Sequence, residues 1–378
     1  MKRRKLIGYT LAGTTSMAAM TACNTATTSN TGSNTSTTGT DLPRVEWKMA
    51  TSWPVSLKTL YGAAEQIAQR VSDMTGGRFT IKVFAAGEIV PGLEVLDAVQ
   101  QGTVECGHSA SYYYIGKNPA LAFGTSMPFG LNAQQQTAWL YQGGGIDAMN
   151  KIYTDFNTIA FPAGNSGVQM GGWFRKEVNT VADLKGLKMR IPGLGGEVLS
   201  RLGVNVQVLP GGEIFLALER GAIDAAEWVG PFDDEKLGLN KAAQFYYYPG
   251  WWEPGSSFDL QINLNQWNQL PKEYQEILKD AAAYTNTWTL SAYDKENPEA
   301  LKRLIEGGTQ LRPYSAEIMN AAQKESFDLY EENASKDASF KAVYEPWKQF
   351  REAIYQWSAV GEYSYSNFTV APALKALD

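Results

Sequence analysis

The chain has 378 residues, which is long enough for two domains of ordinary size. A hydrophobic fraction of 44% and a charged fraction of 19% indicate a globular protein, and a net charge of −6 without a basic stripe argues against a nucleic-acid partner. The chain has a single histidine, His108, so HExxH-type zinc sites, which need two histidines, are excluded. A Ser-His-Asp or Cys-His arrangement could use only His108 as its base. We expect His108 to be structural.

An export signal is predicted at the N-terminus. The positive run from Lys2 to Lys5 precedes uncharged apolar or small residues 6–22, a stretch too short and too rich in Gly and Thr for a membrane span. We interpret residues 1–22 as a signal peptide. Its paired arginines resemble a twin-arginine (Tat) signal, and an ordinary Sec signal is the alternative.

Cys23 follows Thr21 and Ala22, and this resembles a bacterial lipoprotein cleavage site; the alternative is a plain cleavage signal. Residues 24–40 are almost all Thr, Ser, Asn, Ala and Gly, which predicts a flexible tether over 23–41. We expect a lipid on Cys23 and a protein held at a membrane outside the cytoplasm. Cys106 is then alone, so neither a disulfide framework nor a cysteine metal cluster is expected.

From residue 45 onward the pattern alternates between strand-like and helix-like segments. Strands are predicted at 45–51, 78–84, 103–109, 168–175, 187–191 and 204–209. Helices are predicted at 57–74, 92–101, 181–184, 196–202 and 214–220, and the chain from 271 is mainly helical, with helices at 271–291, 316–332 and 340–355. This order predicts layered α/β domains.

A weak internal repeat supports two related halves. Residues 98–105 and 217–224 share a helix end, a glycine and a short apolar strand. Gly102 and Gly221 are predicted to take a positive φ where each helix ends.

Three side chains are candidates for binding an anion or a cation. Arg190 ends a predicted strand just before Pro192 and Gly193, so its guanidinium can project into a cleft and hold a carboxylate with two donors; the alternative is a surface ion pair. Glu227 and Glu253 lie among apolar and aromatic residues, where a carboxylate needs a partner. A helix cap, a salt bridge or simple exposure would also explain them.

Aromatic residues near predicted strand ends are candidates for a cleft wall. Trp53 follows the first strand, and Tyr112 and Tyr113 follow another strand end, where ligands of open α/β sheets commonly bind. Trp252 adjoins Glu253. Each of them could equally be a packing residue.

Three segments, at 183–193, 218–228 and 246–254, together resemble the solute-binding receptors of tripartite ATP-independent periplasmic (TRAP) transporters. The pairing of the segment 169–175 with the Trp-Trp-Glu-Pro run at 251–254 resembles the branch that binds 2-oxo acids or lactate with a metal ion. The resemblance runs from about residue 45 to the C-terminus. It implies a two-lobed periplasmic-binding-protein-like α/β fold with the ligand between the lobes. Lobe I would comprise 42–164 with parts of 254–378, and lobe II would comprise 165–253. Long helices in 271–378 would brace both lobes. Some members of the branch dimerise through these helices, so a homodimer is a possible partner arrangement implied by the resemblance.

The resemblance also implies roles for particular residues. Arg190 would hold the substrate carboxylate, with Gln169 and Trp228 also near the substrate. The metal ligands would be Gln169, Glu227, Glu253 and a backbone oxygen at Trp228. These are hard oxygen donors that suit Na⁺ or Ca²⁺. One arginine, two glutamates and a monocarboxylate sum to a charge of −2, which is costly to bury without a cation.

The expected function is the capture of a small 2-oxo or 2-hydroxy monocarboxylate, with one metal ion, for delivery to a membrane permease. No catalytic residue is required. The alternatives are an exported carboxylate-dependent hydrolase with Glu227 and Glu253 as acid and base, a receptor for an ATP-driven importer or a sensor kinase, and a receptor for another organic acid.

Overall fold

Two β-sheets organise the part of the chain that the computed structural model describes, residues 42–376, with side chains as far as residue 373. The strands are β1 (Val45–Thr51), β2 (Phe79–Phe84), β3 (Cys106–Ser109), β4 (Thr158–Asn165), β5 (Trp173–Phe174), β6 (Lys188–Arg190), β7 (Asn205–Gln207), β8 (Ala225–Ala226), β9 (Phe245–Tyr248), β10 (Ser257–Asn263) and β11 (Gln310–Pro313). The predicted signal peptide, the tether and Cys23 lie outside the described residues.

Helices cover the sheets and form most of the C-terminal third. They are α1 (Leu60–Met74), α2 (Val95–Gln101), α3 (Ala122–Thr125), α4 (Ala133–Gln142), α5 (Gly145–Thr154), α6 (Gly193–Arg201), α7 (Gly211–Glu219), α8 (Pro231–Leu237), α9 (Leu264–Gln269), α10 (Lys272–Glu306), α11 (Ala316–Lys336), α12 (Ala338–Ser358) and α13 (Ser364–Thr369). A π-helical turn, Ala359–Tyr363, joins the last two. Within residues 42–376, no helix has the length and apolar character needed to cross a membrane.

The first sheet has the strand order β2-β1-β3-β10-β4, and the second has the order β11-β9-β5-β8-β6-β7. In the first sheet β1, β2 and β3 are parallel, whereas β10 is antiparallel to both of its neighbours. In the second sheet β5 is antiparallel to β8 and β9, and the other pairs are parallel. This is a mixed α/β fold, as the sequence predicts.

The chain crosses between the sheets more than once. It leaves the first sheet after β4, returns after β9 to form β10, and then enters α10, which packs against β4 and α1 and, further along, against α8. It then contributes β11 to the second sheet. The predicted lobe boundaries remain a prediction, and β11 is a strand of the second sheet that the range 165–253 does not include.

The predicted strands and helices are present, most with shifted bounds, except at one strand; the helix predicted at 271–291 continues to Glu306. Gly102 and Gly221 each have φ of 73°, which confirms the predicted positive values. The predicted strand 168–175 is wrong over most of its length, because only Trp173–Phe174 pair as a strand. Gly172 has φ of 85°, and the amide of Met170 donates to a carbonyl of another loop, so this stretch does not extend the ladder.

Candidate ligand-binding site

The topology of the second sheet brings the four principal candidate residues to one edge. Arg190 is the last residue of β6 and pairs with Ala226, so Glu227 follows directly at the end of the parallel neighbour β8. Because β5 runs the opposite way, the residues before it, including Gln169, reach the same edge. Strand β9 is also antiparallel to β5 and ends there, and the loop after it carries Glu253.

Arg190 is held rigidly and is 1% exposed. Its Nε donates to the carbonyl of Leu209 at 3.0 Å, and one terminal nitrogen donates to the Glu227 carbonyl at 3.1 Å and to the Glu227 carboxylate. Its Cζ lies 5.0 Å from the centre of the Trp228 ring. The other terminal nitrogen, NH2, has no hydrogen-bond partner among the described residues. One arm of the guanidinium therefore remains available for an anion.

The two glutamates of this edge are buried and differ in their partners. Burial raises the pKa of Glu227 well above its ordinary value against the opposing effect of Arg190, and the Oε2 atom of Glu227 has no hydrogen-bond partner among the described residues. Burial raises the pKa of Glu253 to about 7, although Ser256 donates to its Oε2 at 2.6 Å. The salt bridge that the sequence allowed for these glutamates is thus formed by Glu227.

Gln169 is fastened to the loop that carries Glu253. The amide of Gln169 donates to the Glu253 carbonyl at 3.0 Å, and the amide of Gly250 donates to the Gln169 carbonyl at 2.9 Å. The side-chain nitrogen of Gln169 donates to Ser166 Oγ at 3.1 Å, which leaves the side-chain oxygen buried and without a partner among the described residues.

These residues fit a hard cation. Two unpartnered buried oxygens, Gln169 Oε1 and Glu227 Oε2, and the Glu253 carboxylate supply the neutral and anionic oxygen donors that Na⁺ and Ca²⁺ prefer. Residues 42–376 contain no group of three His, Cys, Asp or Glu side chains suited to a metal, in keeping with a set built from two carboxylates and an amide.

The first sheet presents an aromatic edge to this charged edge. Strands β1 and β3 are parallel, and Trp53 and Tyr112 follow their carboxyl ends. A β-carbon on Gly193, at the start of α6, would lie 2.8 Å from Tyr112 Cδ2, so the two edges are in direct contact there. Tyr112 lines one small cavity with Glu253, and Tyr112 and Tyr113 line another with Ile191 and Gly193, so both phenols lie near the charged residues.

The structure refines the expected role of Trp53. Its indole Nε1 donates to His108 Nδ1 at 2.7 Å, and His108 Nε2 lies 3.1 Å from the carbonyl of Ala163. The indole nitrogen of Trp53 is therefore not free for a substrate, and its ring lies 6.3 Å from the ring of Trp228. Burial lowers the pKa of His108 to about 4, which suits the structural role expected for it.

Several residues at the site have no signal in the sequence. Ser166 and Ser256 each stand three positions from a candidate ligand, but in irregular loops, where a spacing of three predicts no contact. Ser126 lines a small cavity of about 10 Å³ beside Tyr112 and Glu253. Only their positions in the fold identify these serines.

Residues 49–337 match the family described as bacterial extracellular solute-binding protein, family 7 (DctP). The chain belongs to this family. Its members are transport solute-binding proteins and not enzymes, which removes the hydrolase alternative.

Relatives of this family extend over nearly the whole chain. A protein of Nostoc sp. named monocarboxylate 2-oxoacid-binding periplasmic protein is 67% identical over 368 residues, which cover 97% of this chain and 99% of that protein. A TRAP transporter solute-binding protein from Bordetella bronchiseptica, 48% identical with a TM-score of 0.87, was solved as a dimer with calcium and picolinate in one site; the match covers 88% of this chain and 99% of that chain.

Two further solved TRAP solute-binding proteins are each 38% identical, with TM-scores of 0.83, over 86% of this chain and 99% of theirs. The protein from Colwellia psychrerythraea contains calcium and pyruvate, and the protein from Pseudoalteromonas atlantica contains sodium and pyruvate. These likenesses confirm the predicted family and fold class.

Proposed function

We propose that this protein captures a small 2-oxo or 2-hydroxy monocarboxylate, such as pyruvate or lactate, together with one Ca²⁺ or Na⁺, and delivers it to a TRAP membrane permease. The observation that carries the proposal is the buried cluster at the edge of the second sheet. It combines a fixed guanidinium with a free arm and two glutamates beside an unpartnered amide oxygen.

Charge explains why an anion and a cation would bind together. Arg190 and Glu227 neutralise one another, so Glu253 leaves the cluster with one negative charge, and an arriving carboxylate would raise this to two. Burying that charge is costly without compensation. A cation held by Gln169, Glu227 and Glu253 would lower the cost, and the free arm of Arg190 would orient the carboxylate.

The relatives support this ligand class. The Nostoc relative is named for monocarboxylate 2-oxoacids, and the Colwellia and Pseudoalteromonas proteins were solved with pyruvate and a cation. We assign the same class to this chain, with Arg190, Gln169 and Trp228 on the substrate and Tyr112, Tyr113, Trp53 and Trp252 as wall residues. Contacts from both edges would favour a closed state, so that the ligand shifts the population toward it.

We also propose a location and an oligomeric state. The protein would be exported by the Tat or Sec route to the periplasm and anchored through Cys23, and it would pair with a second copy through its C-terminal helices. Trp357 is 66% exposed and Phe368 is 82% exposed, which is unusual for such large apolar side chains. Mass spectrometry of the membrane fraction that finds an unlipidated N-terminus would refute the anchor, and a monomeric mass in light scattering would refute the dimer.

Thermal unfolding of the mature protein, chelated and dialysed into sodium-free buffer, tests the ligand assignment. Pyruvate, other 2-oxo acids, lactate and dicarboxylates are added with and without Na⁺ or Ca²⁺. Ligand that binds the native state raises the unfolding midpoint by mass action. We expect a rise with monocarboxylates that requires the cation and disappears in Arg190→Ala.

The matched control is Arg312→Ala, because Arg312 forms a partly exposed ion pair with Glu177, at 2.5 Å, and is not one of the residues proposed to bind the ligand. This variant should keep the full ligand-dependent rise. If folded wild-type protein shows no rise with any carboxylate, the assignment of Arg190 and both glutamates is wrong.

A further inference from the structure

Phe129 has an unusual backbone conformation and links the C-terminal helices to the loop that carries Glu253. Its φ is 52°, in the left-handed region that residues with a β-carbon rarely adopt. The next residue, Gly130, could adopt a positive φ more easily, yet the positive φ is found at Phe129. Such a conformation persists only where surrounding contacts hold it.

Helix α12 supplies contacts that hold Phe129. Both Nε and NH2 of Arg351 donate to the Phe129 carbonyl, at 3.0 and 2.8 Å, and the hydroxyl of Tyr355 donates to the same oxygen at 3.1 Å and to the carbonyl of Gly130. The guanidinium lies 4.1 Å from the centre of the Tyr355 ring. No ion pair within the described part of the chain includes Arg351, and two of its three nitrogens donate to this single carbonyl.

On its other side, Phe129 holds the loop 249–253. Its amide donates to the Trp251 carbonyl at 2.7 Å, and its ring stacks on the Trp251 ring with centroids 5.2 Å apart and planes 16° apart. Trp251 packs edge-on against Trp252, which precedes Glu253. The Glu253 carbonyl in turn accepts the amide of Gln169.

We propose that Arg351 and Tyr355 are positioning residues for cation binding. They fix Phe129, Phe129 fixes Trp251, and the loop then places Glu253 and Gln169 at the spacing that the cation requires. This inference rests on the proposed function, because it assigns a role to the same site. Helix α12 would then control the affinity of the site for the cation, although none of its side chains lies in the site.

The test compares Arg351→Met with Arg351→Lys and with the control Lys272→Met, because Lys272 forms an exposed ion pair with Glu276, at 2.8 Å, at the start of α10. Two quantities are measured: hydrogen exchange of the backbone amides of the loop 249–253 without ligand, and the Kd for Ca²⁺ in saturating pyruvate. In Arg351→Met we expect the loop amides to exchange about tenfold faster and the Kd for Ca²⁺ to rise about tenfold, as for other supports of metal ligands. Arg351→Lys should lie between, and Lys272→Met should match the wild type.

Unchanged exchange in 249–253 together with an unchanged Kd would overturn the proposal. So would equal acceleration of the loop and of β1 and β3, since that marks general destabilisation and not a loss of positioning. Wild-type protein that binds no carboxylate with Ca²⁺ would refute the proposed function instead, and the exchange measurement would still decide whether α12 holds the loop.

If Arg351→Met does not fold, Tyr355→Phe replaces it in the test, because this substitution removes a single hydroxyl donor and keeps the aromatic ring. A second comparison places Arg351→Met in the Phe129→Gly variant. Glycine adopts the backbone conformation of Phe129 without strain, so Arg351→Met should accelerate loop exchange less in Phe129→Gly than in the wild type. Equal acceleration in both backgrounds would mean that Arg351 acts on the loop by another route and would overturn the proposal.

Discussion

The two sheet edges that meet at the site differ in how completely their buried polar groups are hydrogen-bonded. The edge of the second sheet buries Arg190, Glu227 and Glu253 and leaves polar atoms that have no partner among residues 42–376. The edge of the first sheet buries Trp53 and His108, which satisfy one another by a hydrogen bond of 2.7 Å. The first arrangement is costly unless something binds to it, whereas the second is complete in itself.

This difference assigns separate tasks to the edges. Buried charged groups with unpartnered atoms gain the most from a ligand, so the second edge should determine what binds and with which cation. The aromatic edge would exclude water and strengthen those interactions by lowering the local dielectric. Substitutions at the two edges should therefore fail in different ways.

Removal of Arg190 should have the largest effect. Arg190→Met leaves the Glu227 carboxylate buried without its partner, which costs about 3–5 kcal/mol of stability for a broken buried pair. Calorimetric titration with pyruvate and Ca²⁺ should show no binding by the folded variant, as judged by circular dichroism. The double variant Arg190→Met/Glu227→Gln should recover stability but not binding; recovery of binding would contradict the role of Arg190.

A buried acid of the first sheet offers a contrast with the glutamates. Burial raises the pKa of Asp259 to about 7, although the Tyr153 hydroxyl donates to it at 2.6 Å. A raised folded-state pKa means that its stabilising contribution is fully present below the ordinary value of 3.8 and is lost as pH rises to about 7. In Asp259→Asn this loss, on the order of a few kcal/mol in the free energy of unfolding, should be absent.

Urea unfolding at pH 4.5 and 7.5 measures that difference. The ligand-dependent rise of the midpoint and its cation requirement should not change in Asp259→Asn, since Asp259 belongs to β10 of the first sheet and is not among the residues proposed to hold the cation or the carboxylate. If the variant and the wild type lose equal stability over this range, Asp259 is not the protonated group.

The glutamates should instead control the cation. Glu253→Gln keeps an oxygen but removes a negative charge, so we expect the Kd for Ca²⁺ to rise about 10–100-fold. Titration of Ca²⁺ at saturating pyruvate measures it, with Glu177→Gln on the exposed ion pair as the control. Pyruvate binding by Glu253→Gln with unchanged dependence on Ca²⁺ would remove Glu253 from the ligand set.

The smallest effects are expected at the aromatic edge. Tyr113→Phe should weaken pyruvate binding by a few-fold, as expected for loss of one hydrogen-bonding group, without altering the cation requirement. Trp53→Phe leaves His108 without its donor and should lower the thermal midpoint while the affinity changes little. A lost cation requirement in either variant would show that the two edges do not divide the tasks as stated.

The sequence predicts the charged edge better than the aromatic edge, and for a physical reason. Arg190, Glu227 and Glu253 stand out because ionisable residues at strand ends among apolar neighbours need partners. Trp53 and Tyr112 do not stand out, because aromatic residues fill cores everywhere. The direct contact between Arg190 and Glu227 depends on the register of β6 and β8, which periodicity does not give.

Elements with strong periodicity were the most predictable: β1 has the predicted bounds, and α11 begins at the predicted residue and continues four residues beyond the predicted end, to Lys336. The predicted strand at 168–175 fails because Gly171 and Gly172 let the backbone turn toward neighbouring loops, and alternation alone does not report that. Phe129 is invisible in sequence for a similar reason: nothing in its neighbours indicates a positive φ or a contact with a helix more than 200 positions away.

Four buried indole rings are linked to the charged cluster: Trp228 lies beside Arg190, Trp53 packs near Trp228, and Trp251 and Trp252 pack together in the loop that carries Glu253. Indole emission responds to nearby charge and to water, so the arrival of an anion and a cation at the cluster should change the ultraviolet fluorescence of the protein itself. The receptor is in this sense its own optical reporter, and stopped-flow mixing can follow the order in which cation and carboxylate arrive without any attached dye.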